Sequence, residues 1–296
     1  MTTTTNPVLP ESVAPAPAPA GSRRRVSVSQ VVVYVLLVIG LVATLAPFAW
    51  MLLGSIKPTG EILANPNAWL PENPTLGNFA DLLSKQNFGL YFFNSVLVAV
   101  VCVVGNLLFC AMAGYALAKI DFAGKRVLFS LVLVMLVVPG IATFVPLFVQ
   151  VSNLGFANTY IGLILPYVVT PLGVFLMRQF IGEIPDSLLE AARLDGAGEF
   201  RIFFRLVLPL SGPALATLAI LTFLGQWNNF LWPLVIAQTD NMYTLPVALA
   251  LFSVGANGTN YGLLLAGAVV VVLPIIVVFL FLQRYFIQGI ASTGIK

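Results

Sequence analysis

The 296-residue sequence contains no histidine, and only 8% of its residues are charged. Without histidine there is no Ser/His or Cys/His pair, no histidine base and no His-containing zinc cluster. The two cysteines, Cys102 and Cys110, fall within one apolar run, where a thiol packs as a small hydrophobe and says nothing of redox compartment. A phosphate loop is missing too. Gly124-Lys125 is followed by Arg126 and lacks the glycine five positions earlier that a backbone cradle for phosphates needs. The chain is therefore expected to be no enzyme, and to hold neither metal nor cofactor.

What the chain has in abundance is apolar surface, at 59% hydrophobic residues. A bilayer core about 30 Å thick needs about 20 mostly apolar helical residues, because a helix rises about 1.5 Å per residue and satisfies its own backbone. Six stretches qualify, at 31–53, 94–118, 127–149, 160–177, 214–236 and 263–282, and none contains Asp, Glu, Lys or Arg. The first follows Arg23, Arg24 and Arg25, as a secretory signal would. It is too long for a signal core and starts after a 30-residue leader, so it reads as a retained span. Residues 1–30, with a threonine run and Pro7, Pro10, Pro15, Pro17 and Pro19, cannot bury a core and are expected to be disordered.

Orientation follows from the loop cations, which stay on the cytoplasmic side during insertion. With the N-terminus inside, the cytoplasmic segments hold Arg23 to Arg25, Lys119, Lys125, Arg126, Arg178, Arg193, Arg201, Arg205, Arg284 and Lys296. The outer loops hold only Lys57 and Lys85. Both termini are expected in the cytoplasm. Outside, the long loops run over 54–93 and 237–262; inside, one loop dominates at 178–206, and long ordered loops tend to carry function.

The rest of the sequence selects among transport mechanisms. Proton-coupled carriers keep carboxylates or histidines within the membrane, and these spans have none. Sodium held by backbone carbonyls leaves an ion-coupled secondary transporter of a small neutral solute as the alternative reading. A passive channel leaves the large inner loop unexplained. In that loop Ser187 and Glu190 fit a capping box, Asp186 is a competing cap, and Gly196 suits the left-handed residue after a helix. A short helix near 186–195, a turn and a second helix from Glu199 are predicted. The 237–262 loop, with Asp240, Asn241, Asn257 and Asn260 and glycines at 255, 258 and 262, reads either as a flexible connector or as a contact surface.

Glu190-Ala191-Ala192, with Asp195-Gly196 and then Leu208-Pro209, resembles the signature loop of binding-protein-dependent ABC importer permeases. Gln226-Trp227-Asn228-Asn229 and the following Phe230-Leu231-Trp232-Pro233 resemble the maltose-type carbohydrate branch, as do Gln283-Arg284-Tyr285-Phe286 and Gln288-Gly289. Leu206 replaces the family's usual isoleucine, Thr293 a common glycine, and Asn229 a position often acidic. The resemblance covers about 30–296 and implies an all-α integral membrane protein with six transmembrane helices in the type I importer permease fold. After the disordered, cytoplasmic N-terminal segment 1–30 that composition predicts, it implies a permease domain at 31–283 with coupling loop 178–206, and a cytoplasmic tail at 284–296. The implied function is that of one permease subunit of a carbohydrate importer in a prokaryotic inner membrane. Its implied partners are a second, non-identical permease, two ATPase subunits that hydrolyse ATP, and an extracytoplasmic sugar-binding protein. Glu190, Ala191, Ala192, Asp195, Gly196, Leu208 and Pro209 would couple to the ATPase. Gln226, Trp227, Asn228 and Asn229 offer amides beside an aromatic face, which suits either sugar contact or helix-to-helix packing.

Overall fold

The computed structural model describes residues 28–85, 87–252 and 259–293. Of the segment 1–30 expected to be disordered, residues 1–27 lie outside the described residues, as does the glycine-asparagine stretch at 253–258, while residues 28–30 are helical because the first apolar span begins there. All regular structure among the described residues is helical. Residues up to Pro47 form one unit and those from Phe48 on another. The first unit is the greater part of helix α1 (Val28–Ser55), whose apolar side chains from Val31 to Leu45 are exposed, as contact with lipid requires.

The second unit holds the remaining helices. α2 (Thr59–Ala64) and α3 (Gly77–Lys85) lie in the connection between α1 and the next span. α4 (Phe88–Gly105), a π-turn at Asn106–Cys110 and α5 (Ala111–Lys119) run on as one span of 32 residues. α6 (Lys125–Val137) and α7 (Gly140–Asn153) meet at 107°. α8 (Tyr160–Ile164), continued to Tyr167 by a tight turn, meets α9 (Pro171–Gly182) at 42°. α10 (Asp186–Leu194) and α11 (Glu199–Ile202) form a hairpin, followed by a second π-turn at Phe203–Val207 and α12 (Leu208–Leu210). A 78° bend at Ser211 leads into α13 (Gly212–Trp227). α14 (Leu231–Ile236), α15 (Leu245–Phe252) and α16 (Tyr261–Thr293) complete the chain. Among the described residues three helices are long and apolar enough to cross a membrane, and each bent pair counted as one span makes up to six.

Hydropathy placed these spans but not their breaks. Proline lacks an amide hydrogen and pushes the residue before it out of helical geometry. Val138 before Pro139 and Thr170 before Pro171 are accordingly extended. Thr170 then turns its break into a start: its hydroxyl accepts from Gly173 N at 3.2 Å and caps α9. The fifth span, expected as one helix over 214–236, ends at Trp227 and resumes at Leu231. The expected tail beyond 283 continues α16 as helix to Thr293.

Among the described residues of the second unit there are three buried clusters. One, at the hairpin end, gathers Tyr115, Leu117, Met177, Ile181, Leu189, Ile202 and Phe203. The others gather Phe88, Tyr91, Ala99, Trp227 and Leu245, and Val98, Cys102, Leu163, Trp232 and Ile236. Both cysteines are buried and free, as their apolar setting implied.

The connection after α14 is no loose connector over its described part. Leu245, Val247 and Ala248 of α15 are buried in the core. The turn before α15 is tied down by Asn94, whose amide donates to the Asn241 and Tyr243 carbonyls at 2.9 Å each. Tyr160 donates back to Asn94 at 2.7 Å, and the Tyr91 hydroxyl donates to Asp240. Buried amides must find partners, and here they find them across chain separations that no local pattern displays.

Candidate functional site

The hairpin α10–α11 is built by its own end signals. α10 closes in a Schellman turn: Ala197 N donates to Ala192 O and Gly196 N to Arg193 O, both at 3.0 Å, with Gly196 at φ +80°. That is the left-handed geometry expected of Gly196. The other end differs from expectation. α10 starts with Pro185 at its N-cap and no side-chain cap, so Ser187 lies inside the helix and the Ser187–Glu190 box does not form. Asp186 is engaged elsewhere: Lys119 Nζ, on a side chain only 6% exposed, donates to its carboxylate at 2.7 Å. A charge-assisted bond from a buried ammonium outcompetes a cap to a neutral amide.

The outward face of the hairpin is free. Glu190 and Ala191 are exposed, and Glu190 has no side-chain partner among the described residues; Ala192 packs inward on the hairpin-end cluster. Leu194 is 89% and Phe200 71% exposed, an apolar patch of a kind soluble surfaces avoid unless another chain covers it. Asp195 is exposed beside them, while Leu208 and Pro209 form the short α12 at the hairpin exit. An open, almost wholly apolar groove of about 210 Å³ adjoins the hairpin, lined by Met112, Tyr115, Ala116, Ile120, Glu199, Phe200 and Phe203.

Electrostatics stiffen the hairpin from within. Arg193 Nε donates to Glu199 Oε1 at 2.8 Å, and the Tyr115 hydroxyl donates to Glu199 Oε2 at 2.5 Å. The Arg193 bond, then that of Tyr115, holds the Glu199 carboxyl below its ordinary range, and Lys119 does the same for Asp186. Both folded carboxyls titrate low. Their contribution is therefore complete above the ordinary carboxylate range and is lost as pH falls through the depressed values.

The second candidate region is the break at 228–230. Trp227 is 1% exposed, stacks on Phe223 at 5.4 Å, and donates from Nε1 to Val271 O at 2.9 Å. It packs the core. Asn228 is exposed and donates to Leu224 O at 2.9 Å, while the Asn229 amide faces Gln226 Oε1 at 3.5 Å. A broken helix leaves amides and carbonyls without intrahelical partners, the arrangement by which transporters offer polar groups at membrane depth. Sequence reasoning missed the Tyr115 and Lys119 contacts to the hairpin, since nothing local to either residue marks a partner more than 60 positions away. Among the described residues, no cluster of acids and cysteines could hold a metal ion.

Comparison with known proteins agrees with this geometry. Residues 110–292 match the family described as binding-protein-dependent transport system inner membrane component. The chain is 44% identical over 255 residues to an arabinooligosaccharides transport system permease protein of Halalkalibacterium halodurans, covering 84% of this chain and 90% of that one. It is 38% identical over 264 residues to a diacetylchitobiose uptake system permease protein of Streptomyces coelicolor, covering 88% and 87%. In three dimensions it resembles a crystal structure of a bacterial ABC transporter that imports alginate, with a TM-score of 0.78, 25% identity, and coverage of 92% of this chain and all of that one. The hairpin, the bent spans and these likenesses together place the chain in the family of inner-membrane components of binding-protein-dependent transport systems, as a permease subunit without an ATPase site of its own.

Proposed function

We propose that this chain forms half of the translocation pathway of an ATP-driven carbohydrate importer and that its α10–α11 hairpin is the part the ATPase grips. The observation that carries this reading is an exposed, firmly capped hairpin on a chain with no phosphate loop. In the proposed assembly it pairs with a second, non-identical permease over two ATPase subunits, and an extracytoplasmic binding protein delivers the sugar. ATP binding closes the ATPase pair, moves the hairpins, and turns the permease pair from inward- to outward-facing. The substrate class rests on relatives named for arabinooligosaccharides and diacetylchitobiose, and on the alginate importer.

The test is direct. In proteoliposomes carrying the complex purified through this chain, sugar-loaded binding protein is expected to raise ATP hydrolysis several-fold over its sugar-free form. Asn228→Ala, at the exposed break of the fifth span, is expected to change the sugar concentration dependence while leaving assembly intact. Hydrolysis indifferent to every oligosaccharide tried would remove the carbohydrate assignment, and a loss of assembly alone in Asn228→Ala would make that residue a packing group.

The same reading puts both termini and the hairpin in the cytoplasm, as twelve inner cations against Lys57 and Lys85 require. Single cysteines decide this point. Trp69→Cys, in the exposed outer connection, is expected to react with an impermeant thiol reagent in intact cells, and Glu190→Cys only after lysis. The reverse pattern would invert the topology.

A further inference from the structure

By chain connection the hairpin belongs to α9 before it and α12 after it. Its polar bonds go elsewhere, to α5. Lys119 Nζ donates to Gly182 O at 3.2 Å, to Ile184 O at 2.6 Å and to Asp186 at 2.7 Å, clasping the exit of α9 and the entry of α10 with one buried ammonium. One turn earlier, Tyr115 donates to Glu199 on α11, and Glu199 takes Arg193 from α10, so both arms of the hairpin close on one phenol. The Tyr115 ring also lies 5.6 Å from that of Phe203. α5 is in turn seated on α9 without a gap, because a Cβ at Gly114 would stand 2.8 Å from Arg178 N and Met177 Cβ.

Just beyond this block, both supporting helices are interrupted at one level. α5 is preceded by the π-turn Asn106–Cys110, and α9 by the extended Thr170. Asn106, fully buried, bridges the two: its amide donates to Tyr167 O and Cys102 O, and its carbonyl accepts from the Thr170 hydroxyl at 2.7 Å and the Cys110 thiol at 3.2 Å. The hydrophobic clusters part at the same place, with Cys110 in the hairpin-end cluster and Cys102 in another. Turns of this kind mark the points where helices bend or change register.

We propose that Tyr115, Lys119 and Glu199 are positioning residues that weld the hairpin to α5, so that the ATPase stroke enters the membrane through the second span and is taken up at the Asn106 π-turn. This rests on the reading of the hairpin as the ATPase contact. The backbone link through Glu183 and Ile184 lies outside the helices, and these charge-assisted bonds add to it a second, direct tie between the hairpin and α5. The moving body is thus smaller than the subunit: hairpin, α5 and α9, jointed where α4 gives way to α5 and α8 to α9.

The experiment uses the whole complex in proteoliposomes, with Tyr115→Cys and Glu199→Cys joined across the open groove that both positions line by a short, reducible linker added before reconstitution, and with each single variant as the control for reaction at Cys102 and Cys110. With ATPase added until its pull-down equals that of the native chain, the unbridged double variant is expected to take up sugar at least tenfold more slowly. Bridging is expected to restore uptake to within about threefold of native, and reduction to abolish that gain. Tyr115→Phe, which keeps the ring packing and loses only the hydroxyl, is expected to hydrolyse ATP with less sugar moved per ATP. Native uptake in the unbridged variant, or arrest of transport by the bridge, would overturn the proposal. Absence of ATPase from the native pull-down would instead overturn the docking reading beneath it, and that failure is visible before any bridge is made.

Discussion

Gly196→Pro is expected to leave a chain that inserts into the membrane but neither retains its ATPase nor takes up sugar. Gly196 sits at φ +80°, whereas proline fixes φ near about −65° and removes the amide that bonds Arg193 O. The Schellman turn then cannot close, and α11 leaves α10 in a different direction, carrying Phe200 and Glu199 away from their present places. Glu190→Ala tests the grip without disturbing that turn. Because Glu190 closes no cap in the fold, its removal is expected to leave the stability of α10 unchanged, where loss of a true cap would cost about 1 kcal/mol. Docking should suffer far more. Truncating one partner of a buried interfacial charge pair costs about 2–5 kcal/mol, roughly thirty- to several-thousand-fold in affinity. Pull-down of the ATPase against its concentration measures this. Two variants that bind normally and keep stimulated hydrolysis would reduce the hairpin to a connector.

A large effect on folding is expected at Gly114. A methyl group there would meet Arg178 N and Met177 Cβ at 2.8 Å, and backbone cannot retreat as the tip of a flexible side chain can. Span 2 would have to lift off span 4, opening the cluster that holds Tyr115 and Met177. Overpacking of this sort costs about 1–3 kcal/mol in well-packed interiors, and forced displacement of a whole helix sits at or above the upper end. Gly225→Ala supplies the contrast, since nothing stands within 4 Å of a Cβ there and alanine is the better helix former by about 1 kcal/mol. Thermal unfolding of the detergent-purified chains should show a lower midpoint and a poor folded yield for Gly114→Ala, and no loss for Gly225→Ala. Equal behaviour of the two would mean that the close approach of spans 2 and 4 is not what sets stability.

Spans were legible because membrane insertion reads composition over a window of about 20 residues, which is also all that hydropathy measures. Gly196 was legible because a left-handed turn has one cheap residue, and the chain spells it where the helix must end. The breaks were less so. Pro139-Gly140 and Asn228-Asn229 are visible breakers, yet an apolar window runs straight through them, and the π-turn at Asn106 has no sequence mark beyond one amide in a hydrophobic run. α15 was merged into a connector because its apolar stretch is too short to span; only the buried Leu245 and Val247 reveal it as core. Trp227 offered a sugar-binding face on paper and is instead spent on Val271 O, 44 positions on. Asp186 was available as a cap until Lys119, 67 positions earlier, took it. For Trp227 and Asp186 the deciding partner is distant in the chain, so no local pattern could name it.

Lys119 has a history that the finished fold conceals. In the proposed orientation its ammonium must be hydrated at the cytoplasmic mouth of the insertion machinery when span 2 is threaded, for only a solvated cation resists translocation. Its final ligands do not yet exist. Asp186 emerges 67 residues later, an interval of roughly 3–13 s at about 5–20 residues per second of synthesis. One side chain thus first directs the traffic of the nascent polypeptide and afterwards vanishes beneath its own product, which makes maturation of the hairpin a post-insertional event with a clock set by the ribosome.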